Sequence, residues 1–197
     1  MMNETSISLL DRARLDPNDG SWDRLADVYS PMLRTWLSRF GVQPADADDL
    51  VQETLLAVSR DLSKFQHSGR PGAFRGWLRS ILVNRVRNFW RSAMYRPVVT
   101  GGTSWGEQLE QLEDDNSAAS REWNLEHDRH VMARLLEQVR PRFEAKTWEA
   151  FRRQVFDGER ADVVARELGM PINSVYVARS RVLSALRREA AGLIDET

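Results

Sequence analysis

The chain contains no cysteine in its 197 residues, and this absence excludes several kinds of chemistry. Disulfides, thiolate zinc sites and cysteine nucleophiles are ruled out, and such a composition suits a reducing compartment, so we expect a cytoplasmic protein. Histidine is scarce too, with three residues. His127 and His130 stand three positions apart on a predicted helix, but no third ligand accompanies them. We therefore predict no metal site, no cofactor and no catalytic residues.

Long apolar runs are also missing. No stretch of about eighteen apolar residues occurs, so we predict no membrane-spanning helix. The N-terminal sequence MMNETSISLLDRARLD lacks the basic start and apolar core of a secretion signal. With 42% hydrophobic and 29% charged residues, the composition is typical of a folded globular protein and not of a disordered one.

Acidic residues are absent from one stretch, residues 70–96, which carries seven arginines although the whole chain has a net charge of −1. The net charge is −4 over residues 1–69, −6 over 97–130 and +2 over 131–197. Such a separation of charge indicates what the protein binds more than how it folds. Aromatic rings accompany the arginines in this stretch, as in proteins that hold a nucleic-acid strand by phosphate contacts and base stacking, although each ring alone is more often part of a core.

The spacing of apolar residues predicts an all-α fold, since they recur at intervals of three and four. Helices are predicted over 21–39, 46–62, 73–95, 120–139, 144–156, 160–168 and 173–191. Asp46 suits the N-cap of the second helix. Residues 97–118 combine glycine, serine and threonine with acids, as a flexible linker does. The predicted architecture is therefore two small helical domains, 1–96 and 119–197, joined by a flexible acidic linker.

The sequence ADVVARELGMPINSVYVARSRVLSAL, residues 161–186, has the pattern of a helix-turn-helix. Ala165 allows close approach of the two helices, and Gly169 permits the positive φ that ends the first helix. Inward positions are predicted for Val164, Leu168, Ile172, Val175, Ala178, Val182 and Leu186. Outward positions are predicted for Ser174, Tyr176, Val177, Arg179, Ser180 and Arg181. A basic, outward-facing second helix suits the major groove of DNA, although an ordinary helical hairpin has a similar pattern.

The predicted helix within residues 45–65 has two distinct faces. Its buried stripe is predicted to contain Leu50, Val51, Leu55, Val58 and Leu62. The opposite face is predicted to contain Asp49, Gln52, Glu53, Leu56 and Arg60. An acidic face with one exposed leucine suits docking onto a partner helix. By pattern alone, a solvated helix surface is the more ordinary interpretation.

These segments, in this order, resemble an extracytoplasmic-function sigma factor of the sigma-70 family. The resemblance rests on DDLVQETLLAV, then FRGWLRSILVNRVRNFWR, an acidic linker and the helix-turn-helix, and it covers about residues 20–96 and 130–190. It implies a sigma-2-like domain over 1–96 and a sigma-4-like domain over 119–197. The implied function is to bind core RNA polymerase and direct promoter-specific initiation, without catalysis.

The resemblance also implies partners and contacts. Core RNA polymerase would be bound through its β′ clamp helices and its β flap, and promoter DNA would be the second partner. The free chain would be a monomer. The resemblance does not decide whether an anti-sigma factor binds it. Contacts with the clamp helices are implied for Asp49, Gln52, Glu53 and Leu56. Contacts with a melted minus-ten element are implied for Phe65, His67, Ser68, Phe74, Arg75, Asn84, Arg85, Arg87, Asn88 and Arg91. Contacts with the minus-thirty-five element are implied for Ser174, Tyr176, Val177, Arg179, Ser180 and Arg181.

Two other functions fit parts of the pattern. A two-domain helix-turn-helix regulator would bind duplex DNA without being a polymerase subunit, and it would dimerise on palindromes. A helical enzyme would need a nucleophile or an acid–base set, which scattered histidines do not supply. The second helix also departs from the usual Thr-Val-Lys-Ser-Arg-Leu string of the family, because residues 174–179 are Ser-Val-Tyr-Val-Ala-Arg. Individual base contacts are therefore not assigned from the resemblance.

Overall fold

The computed structural model describes residues 8–16, 20–65, 72–94 and 104–194, and these residues form helices joined by short connections. The helices are α1 (Leu9–Leu15), α2 (Ser21–Arg39), α3 (Pro44–Asp61), α4 (Ala73–Met94), α5 (Ser104–Glu113), α6 (Ala118–Val139), α7 (Ala145–Val155), α8 (Ala161–Leu168) and α9 (Ile172–Ala190). A short 3₁₀ turn at Arg140–Arg142 separates α6 from α7. Over the described ranges, no helix combines the length and apolarity needed to cross a bilayer.

All seven predicted helices are present, with ends that differ from the prediction by a residue or two. The prediction for the start of α3 was wrong in detail. That helix begins at Pro44, with Gln43 at the N-cap, so Asp46 lies in the first turn instead of capping it. Proline is favoured at the first helical position because its missing N–H would have no partner there and its φ is already helical.

Helix α5 lies inside the segment that the sequence predicted to be a linker. Its Leu109 and Leu112 are fully buried, and the helix packs against both α4 and α6. The turn into α6 is fixed by Ser117, whose Oγ accepts from the Ser120 amide at 2.9 Å, and by Ser120 Oγ, which donates to the Leu112 carbonyl at 2.9 Å. Two buried leucines therefore hold an otherwise acidic helix against its neighbours.

Most of the buried apolar side chains form one core that extends from α1 to α9. Trp123 of α6, one of its largest members, is fully buried and meets Trp36 of α2 edge-on, with ring centroids 5.1 Å apart. Burying a large side chain of this kind stabilises a fold by roughly 1.5–3 kcal/mol. The core thus joins residues from both sides of the predicted linker.

A smaller core lies among α7, α8 and α9, where Val164, Ala165, Val175 and Ala178 are buried. Further along α9, Val182, Ala185, Leu186 and Ala190 belong to the large core instead. Helix α9 is therefore shared, with its first half in the helix-turn-helix and its second half against α6 and α1. This sharing sets the direction in which the first half of α9 faces solvent.

Candidate functional site

The outward face of α3 carries the four side chains that the sequence singled out for polymerase binding. Asp49, Gln52, Glu53 and Leu56 are all exposed, and Leu56 is 66% exposed. The predicted stripe on the opposite face is buried from Leu50 to Leu62. Spacings of three and four residues place the exposed four on one side of the helix. The result is an acidic surface with one prominent apolar side chain.

The rings proposed for strand binding divide between surface and core. Phe65 is half-buried and stacks on Trp77 of α4, with centroids 4.8 Å apart. Phe74 is only 1% exposed and lies among Phe65, Trp77 and Tyr29, so its prediction as a direct DNA contact does not fit this conformation. Phe74 packs against the rings of Phe65 and Trp77. Two further predicted residues, at positions 67 and 68, lie outside the described residues.

Three α4 arginines form ion pairs with acids of the following segment, which the sequence did not predict. Arg87 donates two hydrogen bonds to Glu113, at 3.0 and 2.7 Å. Arg79 pairs with Asp115. Arg75 pairs with Asp128. Hydrogen bonding to Arg87 lowers the pKa of Glu113, and the same bond raises the pKa of Arg87. Much of the positive charge of α4 is therefore neutralised within the chain.

An exposed strip of α4 carries polar side chains. Asn84, Asn88 and Arg91 are exposed, and Arg85 is half-buried. Positions 84, 88 and 91 follow the four- and three-residue spacing of one helix face. Amide groups on this strip could hydrogen-bond to base edges, while the arginines could contact phosphate.

A buried hydrogen-bond network fixes the third pair. Tyr29 and His127 are fully buried, and the Tyr29 Oη to His127 Nε2 distance is 3.0 Å. His127 Nδ1 lies 2.9 Å from Asp128 Oδ1, and Arg75 donates to the same carboxylate at 2.9 and 3.0 Å. Burial lowers the pKa of His127 and raises that of Tyr29 well above its ordinary value. A neutral His127 then donates to Asp128 and accepts from Tyr29. The ring of His130 donates to the Val28 carbonyl at 2.6 Å.

The helix-turn-helix has the predicted local geometry. Gly169 ends α8 with φ of 61°, in the left-handed region where glycine is favoured. Ala165 is buried where α8 packs against α9. The prediction for Ile172 was wrong, because this side chain is 46% exposed at the first position of α9. As the first residue of α9, Ile172 lies outside the small core.

The outward face of α9 presents most of the residues predicted to contact duplex DNA. Tyr176, Val177, Arg179, Ser180 and Arg181 are exposed, whereas Ser174 is half-buried. No ion pair to Arg179 or Arg181 is found within the described ranges. Gln154 of α7 donates to the Val175 carbonyl at 3.0 Å and so holds α9 in place. This face keeps its positive charge, unlike that of α4.

Sequence reasoning missed one buried charge. Glu189 of α9 is 1% exposed and accepts from Arg12, Arg24 and Arg142 at 2.6, 3.2 and 2.6 Å. Burial alone would raise the pKa of Glu189, but the hydrogen bonds from Arg142 and Arg12 outweigh it, and the pKa is lowered. The spacing of Leu186, Glu189 and Ala190 places the acid on the buried face, which is the signal that could have revealed it.

Comparisons with known proteins give a consistent result. A model of the family Sigma-70 region 2 matches residues 25–95. The ECF RNA polymerase sigma factor ShbA of Streptomyces griseus is 30% identical over 195 residues, which cover 94% of this chain and 96% of that protein. SigL of Mycobacterium tuberculosis, another ECF RNA polymerase sigma factor, is 29% identical over 163 residues, covering 83% and 85% of the two chains. The RNA polymerase sigma factor HrpL of Pseudomonas syringae is 27% identical over 165 residues, with 80% of each chain covered.

Proposed function

The chain belongs to the extracytoplasmic-function sigma factors of the sigma-70 family, and from this premise we propose a division of labour among three of its helices. It is a sigma factor that directs promoter-specific transcription by RNA polymerase. In the proposal, α3 binds the polymerase, α4 holds the separated strand of the minus-ten element, and α9 binds the minus-thirty-five duplex. The alternative of a regulator that is not a polymerase subunit is not favoured by the sigma-factor relatives.

The outward face of α3 supports the polymerase contact. Asp49 and Glu53 precede Leu56 on one exposed side of α3. An apolar side chain among acids fits a partner helix that offers a small apolar recess bordered by bases. The β′ clamp helices are the proposed partner of this face, and we expect the β flap to contact the C-terminal helices.

Polar and aromatic groups of α4 support the strand contact. The Phe65 and Trp77 rings form a stacked pair that is partly exposed, and Asn84 and Asn88 line the open strip of the helix. Aromatic groups bind unstacked bases at about 1–3 kcal/mol per base, and this interaction is available only after the duplex has opened. The helix therefore favours melted DNA over the duplex.

The exposed face of α9 is the single observation that carries the proposal. Tyr176, Val177, Arg179 and Arg181 face solvent together near the start of the second helix of a helix-turn-helix. That is the part of the motif that enters the major groove. The opposite face of α9 packs against α7 and α8, so the side chains proposed to contact the duplex lie on a rigid element.

The test is reconstituted run-off transcription with core RNA polymerase and a promoter library. We expect Asp49→Ala with Glu53→Ala to weaken assembly with core polymerase. We expect Arg181→Ala to leave assembly unchanged and to weaken binding of the minus-thirty-five element by about tenfold, as loss of a base or phosphate contact does. Asp27→Ala, an exposed change on α2, serves as the control.

Two results would contradict the proposal. One is specific DNA binding by the free chain as a dimer, with no transcription when polymerase is added. The other is loss of the same step in both sets of variants, since separate surfaces require separate defects.

A further inference from the structure

The acids that follow α4 in the chain lie against the arginines of α4. Glu113 pairs with Arg87, and Asp115 pairs with Arg79. From these contacts we infer that Glu113 and Asp115 mask the α4 face from single-stranded DNA, as an intramolecular competitor that must be displaced before a strand binds. This inference rests on the proposed strand-binding role of α4.

Carboxylate and phosphate compete for the same groups. Arg87 donates from both terminal nitrogens to the two oxygens of Glu113, and Arg75 contacts both oxygens of Asp128. A phosphate offers a guanidinium the same paired acceptors and the same sign of charge. A strand cannot take these donors while the carboxylates hold them.

A cavity of about 540 Å³ lies between α4 and the segment that follows it, and each pair contributes at least one member to its lining. Its lining includes Arg75, Trp77, Arg79, Glu113 and Asp115, so cations, a ring and the competing acids share a single surface. Asp115 is 85% exposed while Arg79 is 6% exposed. The carboxylate therefore stands on the solvent side of the guanidinium, and an approaching phosphate meets negative charge first.

The ion pair between Arg87 and Glu113 contributes little to holding the mask in place. Glu113 is 42% exposed, and ion pairs at such positions contribute little to stability. The buried anchors are Leu109 and Leu112 of α5. Any partner that draws α5 away from α4 would thus expose the arginines, and by linkage strand binding would favour that released state to the same extent.

The experiment measures binding of the full chain, without polymerase, to a fluorescein-labelled single strand of about twelve nucleotides. The variant is Glu113→Gln with Asp115→Asn. Its control is Asp27→Asn with Glu107→Gln, which makes the same change in net charge at exposed positions of α2 and α5. Fluorescence anisotropy gives both affinities at about 50 and 200 mM salt.

We expect the variant to bind the strand at least about fivefold more tightly than the control at the lower salt concentration. The slope of affinity against salt should also steepen, by about 0.7 for each additional phosphate group that the variant binds. Equal affinities of variant and control, in proteins with equal circular dichroism spectra, would overturn the masking.

A second measurement uses the unaltered chain. Hydrogen exchange of residues 104–117 should become faster when the labelled strand is added, because the competitor is displaced. Unchanged or slower exchange overturns the inference even if the variant protein fails to fold.

A holoenzyme assay separates failure of the inference from failure of the proposed function. Arg85→Ala with Arg91→Ala changes α4 arginines for which no described acid provides an ion pair. If promoter opening by this holoenzyme equals that of the wild type, the strand-binding role of α4 is wrong. If opening falls but the masking variant binds no more tightly than its control, the masking alone is wrong.

Discussion

Replacing Glu189 by glutamine should destabilise the fold more than any other single exchange of an acid for its amide among the described residues. The carboxylate is 1% exposed, and it joins Arg12 of α1, Arg24 of α2 and Arg142 of the 3₁₀ turn to α9. Removing one member of a buried ion pair destabilises a protein by about 3–5 kcal/mol. The three arginine side chains are 25%, 30% and 36% exposed, so water can solvate them after the change, and we expect about 3 kcal/mol.

Thermal melting at pH 7 is the assay, with Glu53→Gln as the control at an exposed position of α3. For a chain of this length the melting temperature should fall by about 6–12 °C. Because the folded state lowers the pKa of Glu189, its contribution is complete above the unfolded value of about 4.3 and is lost as the pH falls through the folded value. The difference between wild type and variant should therefore narrow below about pH 4. A variant that melts within about 2 °C of the control at pH 7 would refute the reasoning.

Three further predictions concern the buried network and the turn. Since burial lowers the pKa of His127, wild-type stability should decrease as the pH falls below about 6.5, and His127→Gln should remove this decrease in melting curves. Tyr29→Phe leaves His127 Nε2 without its donor and should cost about 1–3 kcal/mol in urea unfolding; an unchanged midpoint would contradict the bond. Gly169→Ala should cost about 1–2 kcal/mol because φ is 61°, whereas Gly106→Ala, inside α5 with open space around it, should stabilise by about 0.5–1 kcal/mol. The same sign for both glycine variants would refute the backbone argument.

Local patterns were sufficient to predict the helix-turn-helix and the two faces of α3. In each case the signal lies within one or two turns of helix: Gly169 at the end of α8, and the alternation of buried Leu50 with exposed Asp49 and Glu53. Such features depend on residues three or four positions apart, and the spacing alone fixes which side they face. Ile172 shows the limit, because a helix end exposes a position that periodicity assigns inward.

The ion pairs of α4 could not be predicted in this way. Glu113, Asp115 and Asp128 lie 26, 36 and 53 positions from their arginines along the chain. The charge totals showed that a basic segment is followed by an acidic one. Composition does not show which acid lies against which arginine. The register is set by Leu109 and Leu112, whose burial orders α5, and two leucines among acids are a weak helix signal.

The two surfaces proposed to bind DNA therefore differ in free positive charge, and their affinities for DNA should differ accordingly. The phosphate contacts that dominate affinity require free cations. On α9, Arg179 and Arg181 are exposed and have no ion-pair partner among the described residues, whereas on α4 Arg79 and Arg87 are already neutralised. Under the proposals made above, the duplex-binding face is competent in the free chain and the strand-binding face is not. Duplex binding before strand binding is also the order of events at a promoter, because separated strands do not exist until the polymerase is positioned on the duplex. An exposed cationic α4 in the free protein would instead bind any single strand it met, without regard to promoter sequence.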